Sequence, residues 1–314
     1  MSVTLADIEA ARARIGGRVR VTPVLSADLA KAPLSRDWGL SLKLECLQIT
    51  GSFKARGAVS TLTALSEAEV ARGLVTASGG NHGLGVAYAG WSAGAPVKIF
   101  LPSNTPPVKA EKLATWGAEV IMHGAVWDEA NIEAMRVASA DGLTYVHPFA
   151  DPRVIAGQGT TALELLEQVP DCDVLLVAIG GGGLISGIAT AAKALKPRMT
   201  VIGVEPVGAP THFESRKAGR LVELERIDTA ANTLAPRMSA AINLEIIGRD
   251  VDDIVLVDDE AMREAARWLW AEFGVAAELS GAAAVAALQA KAYVPASGAS
   301  VAALVCGAGT DGIV

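Results

Sequence analysis

Seven short apolar runs rich in β-branched residues recur along the chain: LVTA (74–77), VKIFLP (97–102), AEVIM (118–122), VLLVAI (174–179), TVIGVE (200–205), IVLV (254–257) and SVAALVC (300–306). Helical patterns lie between most of them. Strands apolar on both faces belong in a parallel sheet covered by helices on each side. The helical segments carry their own punctuation. In EAMREAARWLWAEFG, Met262, Ala265, Leu269 and Phe273 share one face, and Gly274 offers the stop. Near the N-terminus, Thr4 and Asp7 make a capping-box pattern ahead of Ile8, Ala11 and Ile15.

Composition supports this reading. Of 314 residues, 51% are hydrophobic and 19% charged, which suits a large buried sheet and excludes a disordered chain. A net charge of -7 argues against nucleic acid as a general partner. The three cysteines, Cys46, Cys172 and Cys306, form no C-x-x-C pair, so neither a disulfide framework nor a zinc site is expected, and a cytoplasmic setting fits. The first residues mix acids and bases and do not read as a targeting segment. The stretch VLLVAIGGGGLISGIATAA is the most membrane-like, but four glycines interrupt it, so no membrane span is expected.

Three of the strand-like runs lead into glycine-rich turns: LVTASGGNHG, VLLVAIGGGGLISG and SVAALVCGAGTDG. Ligands of open α/β sheets collect beyond the carboxyl ends of strands. A glycine loop that opens a helix presents bare N–H groups and the positive end of the helix dipole to an anion. Gly180, Gly181, Gly182 and Gly183, directly before a helical pattern, are the best such cradle. GAGTDG matches G-x-G-x-x-G, yet it leaves no room for the following helix or for a ribose-binding acid. A nicotinamide-dependent dehydrogenase is therefore a poor reading.

Lys54 in TGSFKARGA stands among small and apolar neighbours. Partial burial would loosen its hold on the proton and leave a usable amine. An amine near a phosphate cradle is what pyridoxal phosphate requires. Five motifs in order, KLECLQITGSFKARGA, ASGGNHGLGVA, HPFADPRVIAGQGT, AIGGGGLISG and CGAG, span residues 43–309. In these the chain resembles the fold-type II pyridoxal-phosphate enzymes of the serine/threonine dehydratase and serine racemase family.

That resemblance implies roles for particular residues. Lys54 would form the internal aldimine, with Phe53 beside the ring. Asn81 would bond the ring's 3-hydroxyl oxygen, and the four glycines would hold the phosphate. Cys306 falls where a small neutral partner faces the ring nitrogen. Ser78, Gly79, Gly80 and His82 would receive the substrate carboxylate. A divalent-cation site would use Glu205 and the carbonyl of Ala209, but Thr211 stands where the second acid is expected, which weakens it. Arg237 is a cation able to reach a second substrate carboxylate, although an exposed arginine is the plainer reading. No regulatory domain follows Val314, so allosteric control of the kind found in longer threonine dehydratases is expected to be missing.

The expected architecture is a large doubly wound α/β domain, residues 1–72 plus 149–314, with a smaller inserted α/β domain, 73–148, closing over substrate. The expected activity is pyridoxal-phosphate-dependent β-elimination of L-threonine or L-serine to a 2-keto acid and ammonia by a homodimer. A 3-hydroxyaspartate dehydratase, a serine racemase, a β-replacement enzyme and an inactive cofactor-binding protein remain as alternatives.

Overall fold

A computed structural model describes residues 2–313. The chain begins with α1 (Leu5–Ile15), β1 (Val24–Ser26), β2 (Gly39–Lys43), α2 (Lys54–Leu62) and α3 (Glu67–Arg72). There follow β3 (Leu74–Ala77), α4 (Asn81–Ala93), β4 (Val97–Leu101), α5 (Pro107–Ala114), β5 (Glu119–Met122), α6 (Trp127–Asp141) and β6 (Thr144–Tyr145). Next are α7 (Pro152–Gln168), β7 (Val174–Ala178), α8 (Gly183–Leu195), β8 (Thr200–Pro206) and α9 (Thr211–Ala218). The last elements are α10 (Ala241–Asp250), β9 (Asp253–Val257), α11 (Asp259–Phe273), α12 (Leu279–Gln289) and β10 (Ser300–Leu304).

The strands form two sheets. The larger has the order β1-β2-β10-β7-β8-β9, parallel throughout except for antiparallel β1 at its edge. The smaller has the order β5-β4-β3-β6 and is wholly parallel. All five residues of β7 are buried, as a central strand covered on both faces requires. In the smaller sheet the period of two is plain: Leu74, Val97, Ile99 and Leu101 pack toward α4, while Val75, Ala77 and Phe100 pack toward α6. All four of these strands lie within 73–148. The apolar cluster on the α4 side reaches farther, taking in Ile15, Ala55, Val59, Leu62 and Val154. The core beneath this sheet is shared with α1, α2 and the start of α7. No helix among the described residues is long and apolar enough to cross a membrane.

A buried charge network ties α2 to the larger sheet. Arg56 spends its guanidinium on Glu45 (2.7 and 2.8 Å), Glu164 (both 2.7 Å), Thr160 and the Arg20 carbonyl. Lys43, the last residue of β2, donates to Glu164, Gln168 and the Thr22 carbonyl. The two cations and two carboxylates balance. Burial opposes ionisation of Glu45, but Arg56 beside it overrides that and holds its carboxyl below the usual range.

Candidate active site

Lys54 is the first residue of α2, and its position is pinned from behind. The Phe53 N–H donates to the Cys306 carbonyl at 3.3 Å, the Cys46 N–H donates to Val305, and Ser52 bridges to Gly307. The start of α2 is thereby held against the end of β10. The Lys54 ammonium donates to the Pro148 carbonyl at 2.7 Å and lies 5.2 Å from the centre of the Phe53 ring. Protein encloses this half-buried side chain. Desolvation pushes its pKa down to about 8, against the pull of the Glu278 carboxylate. A neutral amine is therefore accessible near physiological pH.

Phe149, next to Pro148, connects the amine to the four-glycine loop. A side chain at Gly181 would strike the Phe149 ring within 2.1–2.6 Å, one at Gly183 would meet its backbone, and one at Gly180 would meet the Thr233 carbonyl at 2.6 Å. Gly182, with φ +92°, is the residue just before α8. No side chain caps this helix start, so its first N–H groups remain available to an anion. The Gly181 carbonyl is held from behind by Ser239 and Asn243. Under Gly182 lies His212, fully buried, with neither ring nitrogen bonded. An uncapped helix start, a loop that tolerates only glycine and an amine of lowered pKa fit pyridoxal phosphate.

The other loop residues come from the smaller sheet. Gly79, Gly80 and Asn81 follow β3 and line a cavity of about 290 Å³ together with Asn232, Thr233 and Glu278. Ser78 accepts from the Gly80 N–H at 3.3 Å. Asn81 Nδ2 donates to Glu278 Oε1 at 2.9 Å. His82 stands apart from this cavity: its Nε2 donates to the Val146 carbonyl at 2.9 Å and lies 3.1 Å from the Thr76 hydroxyl. Burial drives its pKa down to about 3, so the ring is neutral and serves the framework behind the loop. His147 is likewise neutral, pushed down to about 4 by burial, and its Nδ1 accepts the Phe149 and Ala150 N–H groups. The buried Cys306 donates its thiol proton to the Ser280 carbonyl at 3.4 Å, and burial raises its pKa so that it stays a neutral thiol.

The residues considered for a cation are used differently. Glu205 accepts the N–H groups of His212 and Phe213, both at 2.8 Å, at the start of α9. Burial pushes its carboxyl up to about 8 against those two bonds. Ala209 is buried nearby, and Thr211 donates its hydroxyl to the Pro236 carbonyl at 2.7 Å. Among the described residues no cluster of three or more His, Cys, Asp or Glu could hold a metal ion. Arg237 donates to the Leu224 carbonyl and meets Glu223 at 3.4 Å, with 57% of its side chain exposed.

Three contributors escape a reading of the sequence residue by residue: Pro148, Phe149 and Glu278. The first two lie within the HPFADP motif, so their segment was marked but not their part. Glu278 gives no local signal.

Comparison with known proteins agrees with this geometry. The family model described as pyridoxal-phosphate dependent enzyme matches residues 15–307. An L-threonine ammonia-lyase of Thermotoga maritima is 39% identical over 98% of this chain and 76% of its own length. A phenylserine dehydratase of Ralstonia pickettii is 37% identical over 99% of this chain and 95% of its own. The structure of maize serine racemase superposes with a TM-score of 0.93 at 35% identity, covering 98% of this chain and 94% of that one. The family match over most of the chain, these identities and this superposition agree with the amine, the uncapped helix start and the glycine cradle, and the chain belongs to the pyridoxal-phosphate-dependent enzyme family, of fold type II.

Proposed function

We propose that this enzyme eliminates the β-hydroxyl of L-threonine or L-serine, giving a 2-keto acid and ammonia. The observation that carries the reading is the Lys54 amine, its pKa lowered to about 8 by desolvation, donating to the Pro148 carbonyl beside Phe149, against which the uncapped four-glycine loop packs. Lys54 would hold the cofactor covalently, with Phe53 beside its ring, Asn81 at the ring oxygen, Cys306 at the ring nitrogen and Gly180 to Gly183 around the phosphate. The cofactor, when bound, supplies an electron sink for negative charge at the substrate Cα. Lys54, released as a free amine, takes the Cα proton. Ser78, Gly79 and Gly80 receive the substrate carboxylate through the loop backbone. The β-hydroxyl leaves with a proton as water, and the resulting enamine is hydrolysed after tautomerising. Closure of the smaller-sheet layer over the cavity would keep bulk water from the reacting atoms.

Racemisation is the second reading, because relatives include serine racemases. It needs an acid on the face of Cα opposite Lys54. Gly79 offers no side chain there. The His82 ring is committed to Val146, which removes it as a substitute. A panel of L-threonine, L-serine, 3-hydroxyaspartate and phenylserine, assayed for keto acid and by chiral chromatography, tests the proposal. Keto acid from the first two with almost no D-serine is expected. D-serine forming as fast as pyruvate would overturn it in favour of racemisation. No turnover of any substrate by cofactor-loaded protein would favour an inactive cofactor-binding protein.

A further inference from the structure

Glu278 occupies the position just before α12, where an acid usually accepts the helix's own N–H groups. It accepts none. Asp311 takes the Leu279 N–H instead, at 3.3 Å. The Glu278 side chain turns across the cleft: Oε1 accepts from Asn81 Nδ2 at 2.9 Å and from the Ser280 hydroxyl at 2.6 Å. Ser280 Oγ in turn accepts from the Thr233 hydroxyl at 2.5 Å. The backbone beneath is cleared for this carboxyl. A side chain at Gly307 would come within 2.3 Å of Oε1, and one at Gly309 within 2.7 Å of the Glu278 Cβ. Two glycines of the CGAG motif thus make room for Glu278.

We propose that Glu278 is a positioning residue that acts through Asn81 to aim a donor at the cofactor's ring oxygen. Carboxyl Oε1 accepts from Asn81 whether or not Oε2 carries a proton. The amide must therefore turn its NH2 group, and not its oxygen, toward Glu278. With one N–H anchored, planarity of the amide fixes the second N–H as the donor left for an oxygen in the cavity. Without Glu278 the amide is free to rotate by half a turn and present its own oxygen to the anionic ring oxygen, which repels it. The inference rests on the reading of Asn81 as the ring-oxygen partner. Lys54, Cys306 and Asp311 are titratable groups that interact with Glu278 through their charge, and Lys109 and Lys112 line the same cavity.

The test uses purified protein stripped of cofactor and reloaded with pyridoxal phosphate. Two quantities are read: the cofactor dissociation constant by fluorescence, and the pH midpoint of the bound chromophore. Glu278→Ala is expected to weaken cofactor binding about tenfold and to move the pH midpoint. Glu278→Gln keeps an acceptor oxygen for Asn81 and Ser280, so it is expected to bind within about threefold of wild type. In an Asn81→Ala background, Glu278→Ala is expected to add less than twofold, because its effect passes through Asn81. Additive losses, or a Glu278→Ala variant indistinguishable from wild type, would overturn the proposal. If Asn81→Ala itself changes neither quantity, the reading of Asn81 fails first. Should Glu278→Ala not fold, Glu278→Asp, which draws the carboxyl one methylene away from Asn81, is read by the same criteria.

Discussion

Arg56→Met replaces the hub of the buried network with an apolar side chain of comparable length. It removes the hydrogen bonds to Glu45 and Glu164 and leaves Lys43, 3.0 Å from Glu164, as the one cation facing two carboxylates. Glu45 is fully buried and keeps just the Thr22 hydroxyl among its side-chain donors. Breaking a buried pair by deleting one partner costs about 3–5 kcal/mol, most of it the charge left behind. For 314 residues the unfolding entropy is about 0.66 kcal/mol per kelvin, so the melting temperature should fall by about 5–8 °C. The sign of the pH dependence follows from the charges. In the wild type, Glu45 has a lowered pKa, so its contribution is present above the ordinary carboxylate range and is lost on acidification. In the variant the stranded Glu45 carboxyl loses the partner that lowered it and burial raises its value, so its penalty grows as pH rises. The gap between the two proteins should therefore be wider at pH 8 than at pH 5.5. Calorimetry at both pH values, with Arg56→Met/Glu45→Gln as the neutralised control, measures it. A melting temperature within 1–2 °C of wild type at both pH values, or a gap that widens on acidification, would refute this account.

Borohydride treatment of the cofactor-loaded protein should bleach it and fix the cofactor to the peptide containing Lys54, and Lys54→Ala should lose both the link and turnover. Cofactor capture by the stripped protein should accelerate as pH rises through about 8, where the buried amine loses its proton; a rate flat between pH 7 and 9 would count against that environment. Dialysis against a strong chelator should leave most activity in place, because Glu205 already bonds two N–H groups and Thr211 cannot supply a second carboxylate. A collapse restored by Mg²⁺ would show that other oxygen ligands complete a cation site there.

All seven apolar runs read from the sequence became strands, and the helix signals held where they were local: the Thr4–Asp7 capping box forms, and Gly274 ends α11 in the left-handed region. What escaped was set by contacts distant in sequence. β1 and β6 are too short for periodicity to register. β2 alternates Leu40 and Leu42, yet it ends in Lys43, a residue that belongs inside only because Glu164, 121 positions away, meets it there. The same rule divides the site. Lys54, Gly180 to Gly183 and Asn81 lie in motifs whose glycine and amine chemistry can be read locally. Glu278 carries no such local signal, because its partner Asn81 stands 197 residues earlier.

Gly307 makes the difference concrete. Its glycine was legible as a demand for space, since glycine patterns after strands mark close approach. The occupant of that space was not legible, because the pattern reads the same whether a ligand phosphate or a protein carboxyl comes near. In the four-glycine loop the helix start is uncapped, so the N–H groups remain for a ligand. At Gly307 the protein fills the space with its own Glu278. Two similar glycine signals thus serve opposite ends. The available donors at α8 tell them apart, and those donors are a property of the folded helix terminus and not of the glycines themselves.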